Sequence, residues 1–198
     1  MPSSRRLRVW LTHRHAHRSV PPFRTDLWNP DCWRAFQDHR EFQRDQMRVV
    51  ARHRQTTFIA AHMANNSENL EELGRWLDAN PNLYVDISAR IAELGRQPLT
   101  ARKFFLKFAD RILFGTDGPR TPGRLDPHWR MLETHDEYFP YADDEYPPQG
   151  LWNIYGLDLP DDVLRKVYAE NAVRIVPGVA ERLAHWKNAK AGTAAVRR

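Results

Sequence analysis

Three short runs of apolar and β-branched residues dominate the hydrophobic pattern, and each is followed by polar loop residues. The runs are TTFIAAH (residues 56–62), NLYVDIS (residues 82–88) and RILFGTDG (residues 111–118). Their apolar character is continuous rather than alternating, which is typical of strands covered on both faces in a parallel sheet. These runs therefore predict three parallel strands.

Segments with helical spacing separate the three predicted strands. After the first strand, Leu70, Leu73 and Leu77 fall on one apolar stripe, with Ser67 as the predicted N-cap and Pro81 blocking continuation. The alternation of strand and helix predicts an α/β fold with a parallel sheet.

Two further helices are predicted downstream. One follows Pro98 and places Phe104, Phe105 and Phe108 against the sheet. The other begins at Asp161, where acidic side chains stabilise the positive end of a helix. The pattern thus supplies a helix after each of the three predicted strands.

The remaining segments show weaker patterns. RVWLTH (residues 8–13) is a candidate fourth strand, and residues 118–160 predict an elaborated loop with one short helix near Trp129. We expect a basic arm or altered first strand over residues 1–24, one domain over residues 25–188 and a disordered tail over residues 189–198.

Composition narrows the class of protein. The 198 residues suit one domain, and the formal charge of +5 is concentrated at the two ends, as in SSRRLR and AAVRR, which favours solvated termini over a binding face. The one cysteine, Cys32, excludes an internal disulfide and fits a reducing compartment. No apolar run is long enough to span a bilayer. We expect a cytoplasmic protein that binds neither nucleic acid nor membrane.

Polar side chains follow the predicted strands. His62 ends the first strand and Asp117 follows the third, so the shared rim of a parallel sheet is expected to bring them together. A histidine and an aspartate there can hold a divalent metal or act as base and acid around a water. The alternative for Asp117 is a turn residue before Gly118. Asp86, inside the second strand, is expected to be structural and to bond to backbone or to Arg90.

Three histidines near the amino terminus leave two interpretations open. His13, His15 and His17 alternate, so an extended chain would direct all three to one side, where they could bind a cation. Arg14 and Arg18 would repel that cation, which favours an exposed arm.

Four segments, TTFIAAH, NPNLYVDIS, RILFGTDGP and YAENAVRI, together resemble the amidohydrolase-related branch of the amidohydrolase superfamily, the group similar to aminocarboxymuconate-semialdehyde decarboxylase. The resemblance covers roughly residues 40–176, and LFGTDGP after LYVDIS is its most specific part. It implies a partial (β/α)8 TIM barrel, made of strands five to eight with their flanking helices.

The resemblance also implies roles for individual residues. His62 matches the family's sixth-strand histidine, which acts beside the metal, and Asp117 matches the eighth-strand aspartate, which binds metal and handles the proton. His13 is the candidate for the fifth-strand ligand, with His15 in reserve. The implied cofactor is a divalent metal, with zinc favoured.

The function expected from this match is a metal-dependent hydrolase or decarboxylase that acts on a small carboxylate, amide or ester. An eight-stranded barrel needs at least ~200 residues, and its front half precedes the fifth strand. Here fewer than sixty residues precede TTFIAAH, so the site is expected to be incomplete in this chain.

Two alternatives belong to other classes of protein. A non-catalytic barrel fragment would expose unpaired sheet edges and associate with another chain, for example as a homo-oligomer. A nucleic-acid binder would work through the basic ends, but the chain contains no recognised nucleic-acid motif.

Overall fold

A four-stranded parallel sheet forms the centre of the fold. The computed structural model describes residues 7–10, 30–118 and 125–196. The strands are β1 (Leu7–Trp10), β2 (Thr57–Ala60), β3 (Leu83–Asp86) and β4 (Ile112–Leu113). They pair in parallel in the order β1-β2-β3-β4, which confirms the predicted parallel α/β fold. It also confirms a strand at the start of RVWLTH, whose last three residues lie outside the described residues. The sheet is consistent with part of a TIM barrel.

Helices connect the strands and pack around them. They are α1 (Pro30–Arg52), α2 (Leu70–Ala79), α3 (Ile91–Leu94), α4 (Pro98–Phe108), α5 (Asp126–Glu133), α6 (Asp161–Arg165), α7 (Asn171–Ile175) and α8 (Val179–Val196). A π-helical turn, Lys166–Glu170, joins α6 to α7. None of the helices described is both long and apolar enough to cross a membrane.

The carboxy-terminal helix differs from the expectation for that segment. The sequence predicts a disordered tail from residue 189, whereas α8 continues to Val196. Four alanines between residues 189 and 195 favour this continuation, because alanine has the highest intrinsic helix propensity.

The core forms where α2 and α4 pack on the sheet. Leu73 and Phe105 are fully buried, and the rings of Phe104 and Phe108 lie 4.9 Å apart between their centroids. A Cβ atom at Gly74 would lie 3.1 Å from the Phe108 ring, so the missing side chain lets the helices approach. Burial of each of these leucine and phenylalanine side chains contributes about 1.5–3 kcal/mol to the stability of the fold.

The N-cap of α2 is Asn69, and the prediction of Ser67 was wrong. The Asn69 side chain accepts a hydrogen bond from the Glu72 backbone N–H at 3.1 Å. Ser67 is buried two residues earlier, where its carbonyl accepts a hydrogen bond from Gln97 Nε2 at 2.6 Å. The helix starts later than predicted because the chain is still turning at residues 66–69.

The segment around α7 is fastened to β4 by buried hydrogen bonds. Asn171 is fully buried, and its Nδ2 donates to the carbonyls of Ala109 at 2.7 Å and Ile112 at 2.8 Å. The Val167 carbonyl, in the π-helical turn, accepts a hydrogen bond from Phe114 N–H at 2.9 Å. The turn therefore covers the outer edge of the sheet just beyond β4.

A left-handed turn follows β2 and positions the first candidate residue. His62, Met63, Ala64 and Asn65 have φ values of 58°, 54°, 55° and 50°. Left-handed helical geometry costs about 1–2 kcal/mol per L-residue, and none of the four is glycine. Gln43 Nε2 donates to the Asn65 carbonyl at 2.7 Å, which helps to hold the turn in place. The turn carries His62 to the carboxyl rim of the sheet.

Replacing Asn171 with Leu is expected to destabilise the fold by about 2–4 kcal/mol, because two buried carbonyls lose their donor. Asn153→Leu is the control, since the Asn153 side chain makes one exposed hydrogen bond, to the Tyr138 carbonyl. Urea unfolding of both variants measures the difference. Equal losses of stability in the two variants would contradict the anchoring role of Asn171.

Replacing Ala64 with Gly is expected to be neutral or stabilising, because glycine adopts positive φ without a Cβ penalty. Ala101→Gly is the matched control: Ala101 is also buried but lies in α4, where glycine costs about 1 kcal/mol. The two variants should differ by about 2 kcal/mol in the free energy of unfolding. Similar destabilisation of both would show that the turn is not strained.

Candidate functional site

The structure places His62 and Asp117 next to each other at the carboxyl rim of the sheet. His62 Nε2 lies 3.7 Å from Asp117 Oδ2, and the two side chains are 8% and 45% exposed. This separation exceeds a hydrogen bond, and an imidazole and a carboxylate are the kinds of group that would serve a divalent metal or an activated water. The pair combines a buried imidazole with a solvent-accessible carboxylate. Their catalytic roles remain predictions.

A backbone carbonyl fixes the orientation of the His62 ring. Nδ1 lies 2.8 Å from the Ser88 carbonyl oxygen. A carbonyl oxygen only accepts hydrogen bonds, so we assign the proton of the neutral ring to Nδ1. Nε2 then keeps its lone pair and faces Asp117, the arrangement that a base or a metal ligand requires.

Asp86 ties together the ends of β2 and β3. Its Oδ1 accepts hydrogen bonds from the backbone N–H groups of His62 and Ser88, each at 3.0 Å. The structure therefore confirms the expected structural role of Asp86, with backbone partners. Because His62 and Ser88 are the two partners of the Nδ1 hydrogen bond, Asp86 holds both sides of that contact in register.

A close approach at Gly115 brings the segment after β4 to the same place. A Cβ atom on Gly115 would lie 2.2 Å from Ser88 Oγ, so a side chain there would collide with Ser88. Two residues later Asp117 adopts a φ of 55°, a left-handed conformation that aspartate tolerates better than most residues. The bend predicted from the Asp-Gly pair is present, and it also directs the carboxylate towards His62.

A cavity of about 260 Å³ opens beside Asp117. The loop residues Asp143, Asp144 and Gln149 contribute to its polar lining, and Ile91 contributes apolar surface. Its size fits a small substrate group. The lining therefore combines apolar surface with the carboxylates of Asp117, Asp143 and Asp144.

Sequence reasoning did not identify His128, which also lines this cavity. It is 7% exposed, lies on α5 and packs its ring against Phe114 in an edge-on arrangement, with centroids 5.9 Å apart. The sequence predicts the short helix that carries it, but the helical pattern does not show which side chains of that helix face a cavity formed by a distant loop.

The aromatic cluster in the long loop divides between two roles. Phe139 is 2% exposed and belongs to the core, whereas Tyr138 is 70% exposed. Tyr141 is buried, lines the cavity, and accepts hydrogen bonds at its hydroxyl from the backbone N–H groups of Gln149 and Gly150 at 3.0 Å. Phe139 therefore contributes to the core, and Tyr141 contributes to the cavity.

Of the two predicted metal ligands, Asp117 lies among the described residues, and a divalent metal there would need further protein ligands. A catalytic zinc ion normally has three protein ligands. Over residues 40–118 and 125–188, no three His, Cys, Asp or Glu side chains form a group that could hold a metal. The predicted ligand His13, with His15 and His17, lies outside the described residues.

Comparison with known proteins identifies the domain. The family model described as amidohydrolase matches residues 36–178, a range that includes β2 to β4, both candidate residues and α7. Neither the curated proteins nor the solved structures gave a match. The match covers well over half of the 198 residues. The chain therefore belongs to the amidohydrolase family, which indicates an enzyme of the hydrolase type.

Proposed function

We propose that this protein is a metal-dependent hydrolase that acts on a small amide, ester or carboxylate-bearing substrate. The observation that carries the proposal is the 3.7 Å separation between His62 Nε2 and Asp117 Oδ2, together with the cavity that Asp117 lines, within the family match. Decarboxylation is the second candidate reaction, supported by the resemblance of LYVDIS and LFGTDGP to the decarboxylase-like branch. The strands would be numbers five to eight of a barrel.

His62 is proposed as the base. Its Nδ1–H is engaged by the Ser88 carbonyl, so Nε2 is the atom that can take a proton from an attacking water. Burial of the ring, with 8% of the side chain exposed, keeps bulk water from competing for that lone pair. The same atom can return the proton to the leaving group, as a general acid does.

Asp117 is proposed as the second catalytic group and as a metal ligand. Its carboxylate is 45% exposed and can therefore contact both the substrate cavity and His62. A divalent ion, with zinc favoured, would supply Lewis acidity that polarises a substrate carbonyl and acidifies a water. His13 is proposed as a further ligand.

The alternative of a non-catalytic fragment is not favoured. Association with another chain would not require a histidine and an aspartate from different strands to lie together beside a cavity. Assembly into a homo-oligomer is compatible with the proposed activity and is a separate proposal. Its motivation is the short sheet, because a sheet edge can pair with another chain.

The Asp117→Asn variant is expected to lose zinc or cobalt affinity by at least about tenfold, because an amide is a weaker ligand than a carboxylate. The matched control is Asp78→Asn: Asp78 is 54% exposed and pairs with Lys107 at 2.7 Å, away from the rim. Metal analysis of the purified proteins and calorimetric titration with Zn²⁺ measure the effect. Unchanged metal content in Asp117→Asn would show that the proposed coordination is wrong.

Catalysis is tested by assaying the metal-loaded wild type and its histidine variants with a panel of small esters, amides and carboxylic acids. For any substrate that is turned over, His62→Ala should lower kcat/KM by about 10²–10⁴-fold. His53→Ala, which alters an exposed histidine just after α1, should change it little. A metal-loaded protein that turns over no member of the panel would favour the non-catalytic alternative.

The Gly115→Ala variant is expected to lose activity without loss of the fold, because the new methyl group collides with Ser88 Oγ at 2.2 Å and displaces the segment that leads to Asp117. Ser88→Ala in the same chain removes that oxygen, and the next Ser88 atom lies 3.5 Å away, an ordinary contact. The double variant should therefore recover activity. Failure of Ser88→Ala to restore it would contradict the steric explanation.

A further inference from the structure

We propose that Arg90 is a positioning residue for His62: its guanidinium clamps the left-handed turn that directs the imidazole towards Asp117. The importance of this clamp rests on the proposed function, in which His62 is the base. The geometry itself is independent of that function and can be tested without substrate or metal.

Arg90 contacts the first and the last residue of the turn. Its Nε lies 3.4 Å from the His62 carbonyl, and its Nη2 donates to Asn65 Oδ1 at 3.2 Å. Both bonds come from one planar group whose donors have a fixed spacing. The guanidinium therefore joins the backbone of the first residue of the turn to the side chain of the last, which a single hydrogen bond could not do.

Arg90 is itself held firmly. Its Nη1 donates to the Ala89 carbonyl at 3.1 Å and lies 3.4 Å from Glu93 Oε1, and the two charged side chains are 16% and 15% exposed. Burial raises the pKa of the Glu93 carboxyl, and the neighbouring Arg90 charge opposes that rise. Neither side chain has much freedom to move, so the guanidinium offers its remaining donors in one arrangement.

The turn requires such support because its conformation is unfavourable. Four consecutive L-residues with positive φ are unfavourable, so without restraint the segment would relax. Gln43 holds the carbonyl of Asn65, and Asp86 holds the N–H of His62. Among the described hydrogen bonds, those of Arg90 connect one end of the turn to the other.

If Arg90 only stabilised the fold, its removal would affect the His62 ring no more than removal of another partly buried arginine. Arg111 provides that comparison. Arg111 is also partly buried, and it bonds to backbone carbonyls at the opposite end of β3: Nε to Leu83 at 2.8 Å and Nη2 to Asn80 at 2.6 Å. Removing either guanidinium should lower stability. Only the loss of Arg90 should disturb the His62 ring.

The experiment compares Arg90→Met, Arg90→Lys and Arg111→Met in the full chain, labelled with ¹⁵N-histidine. Two-bond ¹H–¹⁵N spectra, recorded at about pH 8, report which ring nitrogen carries the proton. The wild type and Arg111→Met should give one His62 signal set with the proton on Nδ1. Arg90→Met should lose that set to mixed tautomers or exchange broadening.

The Arg90→Lys variant keeps the proposal testable if the Arg90→Met variant does not fold. Lysine keeps the charge beside Glu93 but cannot reach both ends of the turn, so the lysine variant should fold and still lose the single His62 signal set. An unchanged His62 spectrum in a folded Arg90 variant would overturn the proposal. Equal disturbance by Arg111→Met would also overturn it.

The two proposals can fail separately. If the wild type is inactive yet the Arg90 variants alter the His62 spectrum, the proposed function fails while the clamp stands. If an active wild type loses no activity and shows no spectral change in the Arg90 variants, the clamp fails alone. In an active protein, misplacement of His62 should lower kcat/KM by about tenfold to a hundredfold.

Discussion

The geometry of the candidate site depends on one carboxylate that joins two neighbouring strands. Asp86 accepts hydrogen bonds from the backbone of His62 and of Ser88, so the ends of β2 and β3 are held in a fixed relation. The Ser88 carbonyl then orients the His62 ring, and Ser88 Oγ occupies the space that a side chain at position 115 would need. The approach of Asp117 to His62 follows from these contacts.

The conformational energy of the left-handed turn after β2 is a second constraint on the candidate site. Positive φ at Met63 and Ala64 is unfavourable for residues with a Cβ atom, so the turn after β2 exists only because groups from elsewhere in the chain hold it. Gln43 reaches it from α1 and Arg90 from the segment after β3. Strain of this kind is common at functional sites, where a conformation that the local sequence disfavours serves the reaction.

Much of the fold could be predicted from local pattern, and the site only in part. Continuous apolar runs identify β2 to β4, and parallel topology alone requires the residues after those strands to share a rim, which is why His62 and Asp117 could be paired. The left-handed turn could not be predicted, since residues 63–65 (MAN) contain no glycine, the residue that adopts positive φ most readily. The roles of Gln43 and His128 depend on partners distant in sequence, which no local pattern encodes.

The hydrogen bond from Phe114 N–H to the Val167 carbonyl protects the β4 edge of the sheet. An incoming strand on the β4 side would first have to break this bond and displace the helical segment that Asn171 anchors. Extension of the sheet by another chain at the β4 edge, whether by domain swapping or by aggregation, would therefore cost these buried hydrogen bonds.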